Sequence, residues 1–174
     1  MDLLLEQFIT YLRVEKNASP HTLAGYSRDL AEFAGFLAEE ASIEIDRVDP
    51  VQADYLTIRR FLAQLQKKGL NKATIARKVA ALRSFYRYLA REGLVKVNPM
   101  LHINTPKRDK KLPKFLYYPE TEALLDAPDS SPRGQRDRAL LETVYAGGLR
   151  VSELVGLDLG DINFTLSYAR VLGK

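Results

Sequence analysis

The chain has 174 residues, 46% hydrophobic and 28% charged, enough to bury one sizeable core or two small ones. No apolar run approaches ~20 residues, which excludes a transmembrane helix, and the acidic opening Met1-Asp2-Leu3-Leu4-Leu5-Glu6 is not a secretory signal. The absence of cysteine excludes disulfides and thiolate chemistry and fits a cytoplasmic protein, while a net charge of only +4 makes the placement of charge more telling than its sum.

Four helical segments are predicted before residue 98. The first, Asp2 to Lys16, puts Leu5, Phe8, Ile9 and Leu12 on one face. The second opens at Ser19-Pro20, a side-chain cap followed by a proline that suits the first helical turn, and carries Leu23, Tyr26, Leu30, Phe33 and Leu37 as its stripe. The third lies between Asp49-Pro50 and Gly69, with Ile58, Phe61, Leu62 and Leu65 inward. The fourth ends at Gly93, and Ile75, Val79, Leu82, Tyr86 and Leu89 form its apolar stripe. Short connections between amphipathic helices imply a compact helical bundle.

The fourth segment also carries the strongest charge signal. Between Lys67 and Arg91 there are eight basic residues and no acid. At about 100° per residue, Lys72, Arg77, Arg83, Arg87 and Arg91 share the arc opposite the apolar stripe, and Lys78, nearer the apolar side, is expected to snorkel outward. Solvated helix faces usually mix signs, so an all-positive face points to a phosphate backbone. Arg28 on the second helix is expected to join it.

Asn98-Pro99 and then Thr105-Pro106 interrupt the pattern. The run Lys107-Arg108-Asp109-Lys110-Lys111-Leu112-Pro113-Lys114 holds five basic residues and one acid, and reads as a basic interdomain tether. Lys107, Arg108, Lys110 and Lys111 are its candidate DNA contacts. Three domain spans follow: 1–105 helical, 106–113 linker, and 114–174 a second domain.

Beyond the linker, Pro119 to Ala127 reads as a short helix with Leu124 and Leu125 inward, followed by helices over Arg136 to Ala146 and Ser152 to Leu157. The Gly147-Gly148 pair stops the first of these two, since glycine takes the left-handed backbone that closes a helix. Arg150 then falls at the start of the next helix. A guanidinium there is a rigid two-pronged donor for phosphate oxygens, and helix-start amides would reinforce it. Tyr168 to Leu172 alternates as a strand with no sequence partner in view, so the chain is expected to be cut inside its second domain.

The string Ala146-Gly147-Gly148-Leu149-Arg150-Val151-Ser152-Glu153-Leu154 strongly resembles the first catalytic-arginine motif of the tyrosine recombinases, the integrase family, most closely its Xer branch. Weaker likenesses cover nearly the whole chain, from Ser19-Pro20-His21-Thr22-Leu23 and Tyr26-Ser27-Arg28-Asp29-Leu30 to Asn98-Pro99 and Val171-Leu172-Gly173-Lys174. The resemblance implies a mainly α chain: a four-helix, SAM-like core-binding domain, then the start of an α+β catalytic domain. It implies Arg150 as the first catalytic arginine, Lys174 as the hairpin lysine that protonates the leaving group, and Glu153 as the acid supporting the pocket. It further implies duplex DNA as substrate, a second recombinase subunit on that DNA, and a 3′-phosphotyrosyl intermediate without metal or other cofactor.

The family pattern also needs a His-x-x-Arg, a later His or Trp and a nucleophilic tyrosine near its C-terminus. Neither His21 nor His102 is followed by arginine three residues on, and none of the nine tyrosines occupies the nucleophile position. The chain by itself is therefore expected to bind DNA without cleaving it. Two other readings remain open: a helical DNA-binding or regulatory protein without chemistry, and a helical module whose basic face meets an acidic protein.

Overall fold

The computed structural model describes residues 2–107 and 114–171. The chain divides into two compact units, Met1–Lys111 and Leu112–Lys174. The first contains α1 (Asp2–Val14), α2 (Pro20–Ala41), α3 (Tyr55–Lys67) and α4 (Lys72–Arg91). The second contains α5 (Tyr118–Asp126), α6 (Pro132–Gly147), α7 (Val151–Val155) and the hairpin β1 (Ile162–Asn163) and β2 (Tyr168–Ala169). The architecture is mainly helical, with its only described strands near the end.

Capping residues set most helix starts. Ser19 accepts from the Thr22 amide at 3.3 Å, with Pro20 in the first turn of α2, and Asn71 accepts from the Thr74 amide at 2.8 Å. The third helix begins later than Asp49-Pro50 suggests. Asp49 caps only a single 3₁₀ turn, Pro50–Gln52, and a second carboxylate, Asp54, takes the Thr57 amide at 2.8 Å to start α3 at Tyr55.

The stripes meet as expected. Phe8, Leu30, Phe33, Ile58, Phe61, Leu65, Val79, Leu82, Phe85 and Leu89 are buried in one cluster. Aromatic rings cross it edge to face, with Phe8 and Phe85 centroids 5.3 Å apart and Phe33 and Phe61 5.1 Å apart. Tyr86 is fully enclosed and its hydroxyl donates to the Pro50 carbonyl at 2.9 Å, so burial pushes its phenol pKa upward. Val95, Met100 and Ile103, beyond the end of α4, close the same core.

Lys78 does not snorkel to solvent. It is 5% exposed, and its Nζ donates to Asp29 Oδ1 at 2.9 Å and Glu32 Oε2 at 2.6 Å, both on α2. The reason is Asp29, a carboxylate set among the inward residues of α2 and itself 2% exposed. Arg77 adds a second ion pair to Asp29. Burial works against the ammonium, but Glu32 and Asp29 outweigh it and hold the Lys78 pKa above the ordinary lysine value. A raised pKa means the contribution is complete at neutral pH and is lost only as pH rises through the folded value.

The second unit differs in kind. Among its described residues only Gly134 is buried, while Phe115, Leu116, Tyr145, Val155, Leu159 and Phe164 are all exposed. Leu124, expected inward, is 46% exposed, because α5 has little against which to pack that side. The unit's order is local. Asp129 accepts from the Ser131 amide and hydroxyl, and the Ser131 hydroxyl accepts from the Gly134 amide at 3.1 Å. A Cβ on Gly134 would lie 2.1 Å from the Asp129 carbonyl oxygen, so only glycine fits this turn. The strand at Tyr168 does have a partner: it pairs antiparallel with Ile162–Asn163, a segment too short to show alternation in sequence.

The buried charge cluster yields a stability test. Asp29→Ala would leave the Lys78 ammonium buried with Glu32 alone and should cost about 3 kcal/mol. Adding Lys78→Met should restore much of that loss. Native-state hydrogen exchange of α2 and α4 amides reads both; a loss under about 1 kcal/mol for the single variant would sink the account.

Candidate functional site

The candidate residues read from the sequence fall into two groups, one in each unit. In the first, α4 runs from Lys72 to Arg91 with six basic residues and no acid. The bundle engages most of them. Arg77 pairs with Asp29, and Lys78 with Asp29 and Glu32. Arg83 donates through Nη2 to the Ile103 carbonyl at 2.7 Å and through Nη1 to Thr105 Oγ1 at 3.0 Å. Arg91 pairs with Glu15, the residue just past α1, at 2.9 Å and with Glu92, and stacks over the Tyr11 ring at 4.1 Å. The ion pair with Arg91 holds the Glu15 carboxyl below the usual range and lifts the Arg91 pKa further.

The expected all-positive arc is therefore partly neutralised by its own fold. Periodicity reports the direction of a side chain but not the acids brought to it from other helices. Arg87 is exposed and has no hydrogen-bond or ion-pair partner among the described residues. Lys72 and Lys107 are exposed, and Arg28 is exposed with its Nε donating only to the Ala24 carbonyl of its own helix. The Arg77 and Arg91 side chains remain about half open, at 47% and 45% exposure, and still project charge. Arg108, Lys110 and Lys111 lie outside the described residues, as does Lys174. Asp29 and Glu32 are the residues that sequence reasoning missed. An acid set between Tyr26 and Phe33 on an inward stripe, facing a lysine near the opposing one, was the available signal.

In the second unit, α6 closes at Gly148, whose φ of +58° is left-handed and whose amide donates to the Val144 carbonyl. Gly147 remains helical. The chain then extends at Arg150 (φ −75°, ψ 152°), the cap residue of α7. Glu153, three residues on, accepts from the Arg150 amide at 2.8 Å through Oε2 and from Arg150 Nη1 at 2.5 Å through Oε1. That amide, expected to help hold an anion, is already taken by a carboxylate. The Glu153 side chain is 13% exposed and that of Arg150 70%, so the guanidinium is tethered from the protein side and open outward. Its Nε and Nη2 have no partner among the described residues. Such an arginine can present two donors to an external oxyanion without being buried.

Both histidines and two of the tyrosines considered in the sequence lie in the first unit. His21 and His102 are exposed, Tyr26 stacks on Phe8 at 6.4 Å, and Tyr86 is sealed in the core. Among the described residues, no group of three or more His, Cys, Asp or Glu could hold a metal ion, and no helix is long and apolar enough to cross a membrane.

Residues 5–93 match the phage integrase N-terminal SAM-like domain, and residues 114–174 match the phage integrase family. The chain belongs to the phage integrase family of tyrosine recombinases. It is 51% identical to tyrosine recombinase XerC of Pelotomaculum thermopropionicum across 98% of this chain and 56% of that protein. It is 40% identical to the XerC of Bacillus subtilis across 96% of this chain and 54% of that one. The chain thus spans little more than half the length of these relatives. In fold it is similar to the Tn1549 transposon integrase solved in complex with circular intermediate DNA, with a TM-score of 0.65 at 20% identity, covering 92% of this chain and 51% of that one.

Within this family member, the Arg150–Glu153 contact has a measurable consequence. The backbone amide of Arg150 first, and its guanidinium second, hold the Glu153 carboxyl below the usual glutamate range. A lowered folded pKa stabilises above the unfolded value, and that contribution is lost as pH falls through the folded one. A carboxyl NMR titration of Glu153 should give a midpoint below about 4.3. Arg150→Ala should raise it only part of the way, since the amide stays. An ordinary midpoint in the unaltered chain would contradict this geometry.

Proposed function

We propose that the chain supplies the duplex-gripping part and the first catalytic arginine of a cytoplasmic site-specific DNA recombinase, one that breaks and rejoins strands through a 3′-phosphotyrosyl intermediate. The observation that carries the reading is Arg150, held by Glu153 at the entry to α7 with Nε and Nη2 unengaged among the described residues. Likeness to XerC proteins at 40–51% identity supports it, as does a fold neighbour solved on DNA.

In this reading, residues 1–105 bind DNA, 106–113 follow its backbone, and 114–174 begin the catalytic domain. Arg28, Lys72, Arg87 and Lys107 meet phosphates directly, and half-open Arg77 and Arg91 add field. Arg108, Lys110 and Lys111 extend the contact by their sequence position. A second recombinase subunit occupies the same DNA.

The chemistry follows from charge. When a tyrosine oxygen attacks phosphorus and the 5′ oxygen departs, negative charge grows on the non-bridging oxygens. A guanidinium already fixed beside them lowers that barrier without reorganising, and Glu153 acts by positioning it. Lys174 is the proposed donor of the proton that the departing 5′ oxygen needs. The tyrosine and the His-x-x-Arg of the family pattern do not occur in these 174 residues, so we assign the chain by itself to DNA binding without cleavage.

Two experiments test this. If about six phosphates are neutralised, log affinity for duplex DNA should fall against log salt with a slope near roughly −5. Arg87→Glu should weaken binding to all sequences alike and flatten that slope by about one. An affinity indifferent to salt and to Arg87→Glu, or stronger binding to an acidic polypeptide, would defeat the DNA reading.

The second uses a nicked suicide substrate. The chain by itself should form no covalent adduct, whereas a chimaera completed with the remainder of the Pelotomaculum relative should form one. Arg150→Ala in that chimaera should slow adduct formation by about 10²–10³ while duplex affinity changes little. An adduct from the 174-residue chain would make one of its own tyrosines the nucleophile and overturn the assignment.

A further inference from the structure

We propose that Arg83 is a positioning residue that anchors the root of the connector to α4, and that it is not a phosphate ligand. The inference rests on the two-unit DNA reading, but its structural half can be measured without DNA. The planar fork of Arg83 bridges two acceptors on the exit segment, the Ile103 carbonyl at 2.7 Å and Thr105 Oγ1 at 3.0 Å. A fork fixed at both prongs has little freedom to turn toward a duplex.

The segment it holds is not a loose tether. Val95, Met100 and Ile103 are at most 8% exposed and belong to the bundle core. Asn98 Oδ1 accepts from the Met100 amide at 2.9 Å, and the Ile103 amide donates to the Met100 carbonyl at 3.2 Å. Pro106 is half-buried and lines one groove with Leu70 and Ile75. Past Ile103 the apolar anchoring thins, since Asn104 and Thr105 are exposed. Arg83 bridges that gap. It thereby fixes where, and in which direction, the chain leaves the bundle.

Lysine at this position keeps the charge but offers one donor nitrogen where the guanidinium uses two, so it does not reproduce the fork that spans both acceptors. Arg83→Lys and Thr105→Val should therefore loosen residues 104–107, with backbone order parameters falling below about 0.6 while the helical amides keep theirs. The salt slope of duplex binding should stay unchanged in Arg83→Lys and in Arg83→Gln, whereas loss of a phosphate ligand would flatten it by about 0.9 in the glutamine variant. In the completed chimaera, Arg83→Lys should slow adduct formation about tenfold or more with duplex affinity unchanged, as expected of misplacement. Unaltered order at 104–107, a flattened slope in Arg83→Gln, or an unchanged adduct rate alongside a loosened root would each overturn the proposal. Failure of the unaltered chain to bind DNA would instead overturn the function proposed above.

Discussion

The carboxylate of Asp29 is the constraint on which the first unit depends. It is almost wholly enclosed between α2 and α4, where an unpaired charge would be several kcal/mol too costly to keep. It therefore requires Lys78 and Arg77, and those two requirements fix the register of α4 against α2. An apolar stripe can slide by a turn and lose only some contact area. A buried ion cluster cannot, because a slipped register leaves charges unmatched in a low-dielectric interior. Around that fixed pair of helices, the edge-to-face rings of Phe8, Phe33, Phe61 and Phe85 then fill the remaining space.

The same cluster changes how the basic helix should be understood. Six cations and no acids in twenty residues look like a surface made for phosphate. In the fold, Glu15 just past α1 reaches Arg91, acids of α2 reach Arg77 and Lys78, and a carbonyl and a hydroxyl from the exit segment reach Arg83. A cation paired at the protein side can still attract DNA at a distance, but it contributes less to the release of counterions than an unpaired one. Arg87 is thus distinguished from Arg77, Lys78, Arg83 and Arg91 by having no hydrogen-bond or ion-pair partner among the described residues, a property that no helical wheel displays.

Legibility in the sequence followed the range of the interactions. Helix faces, the Ser19 cap, the glycine stop at Gly148 and the cap position of Arg150 depend on residues a few places apart, and all could be read directly. The late start of α3 was missed because Asp49 and Asp54 both cap, and local chemistry alone does not rank them. The burial of Lys78, the use of Arg83 and the partner of the Tyr168 strand each need a second segment brought from a distance. Leu124 was misjudged for a related reason: a stripe predicts burial only when another element arrives to cover it.

That last point bears on how the second unit can hold a catalytic group. Its described residues enclose no apolar core, and by the usual logic of packing such a region should position side chains poorly. Arg150 is nonetheless held through contacts that need no core. The left-handed glycine ends α6, the extended backbone at Arg150 turns the chain, and one carboxylate three residues on grips both the amide and the guanidinium. All of these lie within six residues of sequence, so the geometry is a property of the segment more than of the domain. A phosphate-binding arginine built this way can be formed before the walls of its pocket close around it.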